Sequence, residues 1–254
     1  MKRRDAFTLT ELLVLIPIIA LLGTLLLASL GDAKQTLQAA QCLSNMRQWG
    51  LAIGLYCNDY NDYMPYQGVT GDVCGNGNFN AGAWFNILGP YISQPRLCDL
   101  YNQGKIPMPG VKSIFVCPSA PMISWTPTEE NPYHRYAMNR ALTRFAGKAY
   151  RRSIAVKPAE TVLLAESNPD GTPQCWPFTD GYRIGSFGVP PQNIPTHSGG
   201  MNFTFVDGRA QWYTQDDYTR TAAEINNNVG SQVEWAHDPP YKIYWWPCPT
   251  CHKD

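Results

Sequence analysis

The sequence predicts an α+β fold: a long amino-terminal α-helix, transmembrane in its first half and amphipathic in its second, packed on an antiparallel β-sheet head. Three observations predict it. Residues 9–30 are almost wholly apolar. Residues 37–53 then place apolar side chains at spacings of three and four. Beyond residue 66 the texture changes to short β-like runs cut by Gly and Pro.

The chain has 254 residues, enough to bury a sizeable core. Its 20 Lys and Arg balance 20 Asp and Glu. No basic field gathers phosphates, so no nucleic-acid partner is expected. An aromatic content of 12% speaks against a disordered chain. With 21 Gly and 21 Pro, a purely helical bundle is also disfavoured.

Residues 1–6 read as a basic leader peptide carrying Lys2, Arg3 and Arg4. The run 9–30 then contains one charge, Glu11. About 20 apolar residues span a bilayer as a helix, whereas a secretory h-region is usually about 7–15 residues long. Residues 7–30 are therefore expected as a transmembrane segment whose start stays in the cytoplasm. Glu11 is costly in such a setting. It either snorkels to the interface or meets a positive partner on a neighbouring subunit.

Residues 31–58 continue as an amphipathic helix, with Leu37, Ala40, Leu43, Met46, Gly50 and Ile53 on one stripe. One helix over about 7–56 would be about 75 Å long at 1.5 Å per residue. A break near Gly31 would give two shorter ones. Asn58, Asp59, Asn61, Asp62 and Pro65 end it. Such oxygen-rich residues can ligate calcium, but EF-hand spacing is absent and a polar loop suffices.

Residues 59–254 are expected to form a globular β-rich head. Strand-like runs fall at 113–117, 161–165, 202–206, 209–213 and 241–246. Short helix candidates lie near 83–88 and 219–226. The Gly-dense stretch 71–77 does not open a helix after a strand, so it is no phosphate loop.

The stretch 197–213 is the most informative. Met201, Phe203 and Phe205 alternate with Asn202, Thr204 and Val206, and Asp207-Gly208 suits a tight hairpin turn. His197 precedes that turn by nine intervening residues. A His–Asp pair can orient a proton-transfer base or bind metal. The simpler reading is structural, with His197 bonding across the hairpin mouth and Asp207 capping the turn. No nucleophile motif accompanies the pair, so no enzyme is expected.

There are eight cysteines: Cys42, Cys57, Cys74, Cys98, Cys117, Cys175, Cys248 and Cys251. Their pairing cannot be read from spacing. Cys42 and Cys57, on one helix, would lie about 22 Å apart and cannot join. Cys248, Cys251 and His252 match the C-x-x-C-H haem-attachment pattern. A disulfide or free thiols come first there. A haem c or a zinc ion on Cys248, Cys251 and His252 is the sharper alternative. Otherwise no cofactor is expected.

The run Ala6-Phe7-Thr8-Leu9-Thr10-Glu11-Leu12-Leu13-Val14 resembles the processing motif of type IV pilins and type II secretion pseudopilins. His197 with Asp207-Gly208 resembles the H-X9-DG element of prepilin-like proteins that carry this motif. Stretches 58–65, 115–119, 136–139 and 157–164 are similar to that group as well. The resemblance implies cleavage between Ala6 and Phe7 by a prepilin peptidase and N-methylation of Phe7. It implies that Glu11 pairs with the new amine of an adjacent subunit. The family pattern has Gly where this chain has Ala6, and commonly Ile where it has Thr10. The implied partners are the peptidase, other pilin or pseudopilin subunits and inner-membrane assembly machinery.

The expected product is a structural subunit of a type IV pilus or of a type II secretion pseudopilus-type filament. Its expected location is single-pass in the inner membrane with an extracytoplasmic head, then a surface or periplasmic filament. The alternative is a membrane-tethered extracytoplasmic haem or metal-binding redox protein using Cys248, Cys251 and His252. Loss of residues 1–6 would leave 17 basic side chains against 19 acidic ones, since it removes three of the former and one of the latter.

Overall fold

A long run of mostly helix-forming residues produces the first element, α1, over Leu9–Asp59. Pro17 lies inside it. The computed structural model describes residues 9–68, 74, 82–120, 126–128, 133, 135–142, 150–166, 178–179, 197, 199–220, 224 and 230–250. Of residues 26, 28, 29, 32, 178, 179 and 230 it describes the backbone alone. The chain divides into two compact units, Met1–Gln38 and Ala39–Asp254.

The described part of the first unit is helical throughout. Its large apolar side chains are exposed, among them Leu13 at 69% and Leu25 at 64%. Among the described residues, no helix is long and apolar enough to cross a membrane. The transmembrane assignment of 7–30 is corrected accordingly. So is the single-pass inner-membrane location with an extracytoplasmic head.

The second unit is built on a five-stranded sheet. Its strands are β1 (Tyr136–Asn139), β2 (Val162–Glu166), β3 (Phe178–Thr179), β4 (Gly200–Phe205) and β5 (Ala210–Thr214), in the order β3-β1-β2-β4-β5. Neighbours pair antiparallel except β1 and β3, which run parallel. The sheet is therefore mixed. The expected fold class, a transmembrane-then-amphipathic helix on an antiparallel sheet, is corrected on both counts.

Every residue of β1, β2 and β4 is buried, so the sheet is covered on both faces. One cover is residues 39–59 of α1. There Cys42, Met46, Trp49, Ile53 and Cys57 recur at spacings of three and four and pack with Met138, Leu164 and Val206. The buried stripe is rotated from the expected one: Leu37 is exposed, while Cys42, Trp49 and Cys57 face inward. Cysteine behaves here as a small apolar residue. The other cover packs Tyr218, Ile243 and Trp245 on Val162, Ala165, Met201, Phe203 and Phe205.

Two expected elements differ, and a third lies mostly outside the described residues. Residues 113–117 form turns, because other groups take their carbonyls before a ladder can. Trp49 Nε1 donates to Ile114 O, Asn45 Nδ2 to Ser113 O and Val116 O, and Arg135 N to Phe115 O. Residues 241–246 form no strand: their ladder pairing is an isolated bridge between Thr161 and Tyr244, and they cover the sheet through Ile243 and Trp245. The candidate helix 219–226 falls mostly outside the described residues. Strand β1 had no sequence signal, being four residues long.

A buried ion pair ties down the carboxy-terminal cover. Arg220 Nε meets Glu234 Oε1 at 2.9 Å, with both side chains almost fully buried. Glu234 also accepts from the backbone N–H of Trp245 and Trp246. Arg220 lies over the Tyr241 ring at 3.5 Å. The two short helices flanking this network are α4 (Gln215–Tyr218) and α5 (Gly230–Trp235). Helices α2 (Trp84–Ile87) and α3 (Leu97–Asn102) belong to the loop-rich stretch, where a Cys74–Cys98 disulfide adds a cross-link.

Gly50 sets how closely α1 approaches the hairpin. A Cβ there would lie 2.7 Å from Thr204 Cγ2 and 2.9 Å from Gly208 O. Gly54, one turn on, has its nearest neighbour at 3.8 Å. Gly50→Ala is expected to destabilise the full chain by about 1–3 kcal/mol through overpacking. Gly54→Ala is expected to stabilise it by about 0.5–1 kcal/mol, since Ala costs less helix entropy. Denaturant unfolding of both variants checks the opposite signs.

Candidate metal centre

Four side chains from four separate segments converge inside the second unit: Cys42, Cys117, Glu166 and His197. All four are buried, and their ligand atoms lie within 4.8 Å of one another. Cys42 sits on the inward stripe of α1. Cys117 follows the 113–116 turns, whose carbonyls Trp49 and Asn45 hold. Glu166 ends β2, in register with Tyr136 of β1. His197 stands just before β4, where its backbone N–H and C=O exchange hydrogen bonds with Gly200. Trp212 Nε1 also donates to His197 O at 2.9 Å, fixing the residue across the hairpin. Gly200 admits that indole, since a Cβ there would meet the Trp212 ring at 2.6 Å.

The internal geometry is close. His197 Nε2 lies 2.9 Å from Glu166 Oε1 and 3.4 Å from Cys117 Sγ. Cys42 Sγ hydrogen-bonds to Glu166 Oε1 and lies 3.4 Å from Tyr136 Oη. Glu166 Oε2 accepts from Asn202 N at 3.0 Å. Asn45 Nδ2 donates to Tyr136 Oη at 3.3 Å. The ring of support thus consists of Tyr136, Asn45 and the Asn202 amide.

The charges respond to this enclosure. Burial pulls the His197 imidazole down, but the Cys117 and Glu166 contacts outweigh it and push its pKa up to about 10. Burial raises the Glu166 carboxyl, yet the His197 contact prevails and holds it below the usual carboxylate range. Burial drives the Cys42 thiol well up. The Cys117 thiol is also raised by burial, but the Cys42 hydrogen bond and His197 bring it down to about 7.

The residues singled out in the sequence are only partly united here. His197 belongs to the cluster, but Asp207 does not. Asp207 Oδ1 accepts from Arg209 N at 3.0 Å and caps the hairpin turn, where Gly208 takes φ +90°. Glu11 lies in the first turn of α1, in the other unit. Ala6 and Phe7 lie outside the described residues, as do Cys251 and His252. Cys248 is disulfide-bonded, and a sulfur in that state offers no thiolate to zinc or haem.

Compared with known protein families, curated proteins and solved structures, the chain matches none.

Three cluster members were not singled out as ligands in the sequence. Cys42 reads as part of an apolar helical stripe, and Cys117 as the end of a β-like run. Glu166 offered a faint clue, a carboxylate closing the run Val162-Leu163-Leu164-Ala165 in which every residue is buried. Removing it should leave His197 buried without its carboxylate partner. Glu166→Ala is expected to cost about 3–5 kcal/mol of stability. Asp207→Ala, which loses one exposed hydrogen bond and a part-exposed ion pair with Arg209, should cost about 0.5–1.5 kcal/mol. Equal losses in thermal or denaturant unfolding would contradict the separation of these two residues.

Proposed function

We propose that the chain is a pilin-like or pseudopilin-like structural subunit, assembling with copies of itself through its amino-terminal helix after residues 1–6 are removed. The observation that carries this reading is the exposed apolar surface of α1 in the first unit. Leu13, Ile16, Ile19, Leu22 and Leu25 are each more than half exposed. Burying such a side chain contributes about 1.5–3 kcal/mol, so a partner helix is strongly favoured. The resemblance over residues 6–11 identifies that partner as another copy. Glu11 is the only charge in the run 9–30. Its complement is the amine that cleavage before Phe7 creates on a neighbouring subunit. A carboxylate among apolar helices is tolerable when paired in this way.

The full chain, co-expressed with a prepilin peptidase, is expected to lose residues 1–6 by intact mass. It is expected to appear in filaments in electron micrographs of sheared material. Glu11→Ala is expected to remove the filaments while the melting temperature of the second unit stays unchanged. Retention of residues 1–6, or a chain found only as a monomer, would overturn the proposal.

A further inference from the structure

We propose that Cys42, Cys117, Glu166 and His197 form a closed, tetrahedral zinc site inside the second unit. This goes beyond the assembly reading and does not depend on it. The donor set is two sulfurs, one imidazole nitrogen and one carboxylate oxygen, all buried and mutually within 4.8 Å. With zinc–sulfur bonds of about 2.3 Å and zinc–nitrogen bonds of about 2.0–2.1 Å, a tetrahedron has a sulfur–nitrogen edge of about 3.5 Å. The Cys117 Sγ to His197 Nε2 distance is 3.4 Å, whereas the Glu166 carboxylate lies closer, 2.9 Å from His197 Nε2, and must shift outward to open the tetrahedron.

Hydrogen bonding alone serves these atoms poorly. A single nitrogen, His197 Nε2, faces both the Cys117 sulfur and a Glu166 oxygen. One N–H can be aimed well at only one of them. A cation at the centre meets the lone pairs of all four groups at once. Thiolates and imidazole select a borderline-soft ion and exclude calcium and magnesium, which take oxygen ligands. Four protein donors with no access to solvent describe a structural zinc site rather than a catalytic one, which keeps a position open. The second layer is present too. Asn202 N holds Glu166 Oε2, and Tyr136 Oη stands against Cys42 Sγ.

The cysteine states agree. Cys74 and Cys98 are joined as a disulfide, and Cys248 is also disulfide-bonded. Cys42 and Cys117 remain free although their sulfurs are near neighbours. Two thiolates shared by one zinc ion are kept from joining each other. Metal binding releases their protons, and the ion clamps α1, the 113–120 turns, β2 and the start of β4 together.

The full chain, produced in zinc-containing medium and purified without chelator, is tested by metal analysis. About one zinc per chain is expected. Cys248→Ser should keep it, which separates this site from the carboxy-terminal motif. Cys117→Ser and His197→Ala should lose it. Because those variants can fail to fold, the wild type supplies a second readout. Stripping and refilling with cobalt should give tetrahedral ligand-field bands and a thiolate charge-transfer band. Chelation should speed alkylation of Cys42 and Cys117 while leaving that of Cys57, another buried free thiol, unchanged. Substoichiometric zinc, a Cys42–Cys117 disulfide in peptide mapping, or labelling indifferent to chelator would each overturn the proposal.

Discussion

A carboxylate with no access to water governs the second unit. Glu166 is fully buried at the end of β2. Left alone, such a charge costs several kcal/mol, so the chain must bring compensation to it. It does so from three directions: His197 before β4, Cys42 on α1 and the Asn202 amide within β4. Those contacts fix the register of the helix against the sheet. Thr204 Oγ1 donates to Met46 O, and Gly50 lets the backbones close to contact distance. The apolar stripe supplies most of the attraction, and the polar cluster selects one placement among many.

The second cover obeys the same logic with different residues. Glu234 and Arg220 form a buried pair whose spare lone pairs and N–H groups are used by backbone. This is how a coil segment, 241–246, lies on a sheet face without joining the ladder. The two polar clusters therefore stand behind the two faces of one sheet, each locking a different cover.

Legibility in the sequence followed the range of the physics involved. The helix and the β4–β5 hairpin were readable, because 3.6-residue spacing and an Asp-Gly turn are local signals. Asp207 as a turn cap was equally local. The 113–117 run looked like a strand, and only remote partners, Trp49, Asn45 and Arg135, turn its carbonyls elsewhere. β1 was invisible because four residues carry too little pattern. The cluster was the least readable feature. His197 was noticed for its spacing from Asp207, yet its partners lie 31 and 80 positions away. Nothing in the local pattern around Cys42 separates it from an ordinary core residue. At the other end, the apolar run 9–30 was legible as apolar, but hydropathy alone did not say what covers it.

Trp212 gives the buried cluster an optical window. Its indole is 39% exposed, while Trp49, Trp84 and Trp245 are sealed in the core. The same ring donates to the carbonyl of His197. Its emission should be the most red-shifted and quencher-sensitive of these four. Any rearrangement at His197 must therefore alter the fluorescence of a side chain that solvent already reaches.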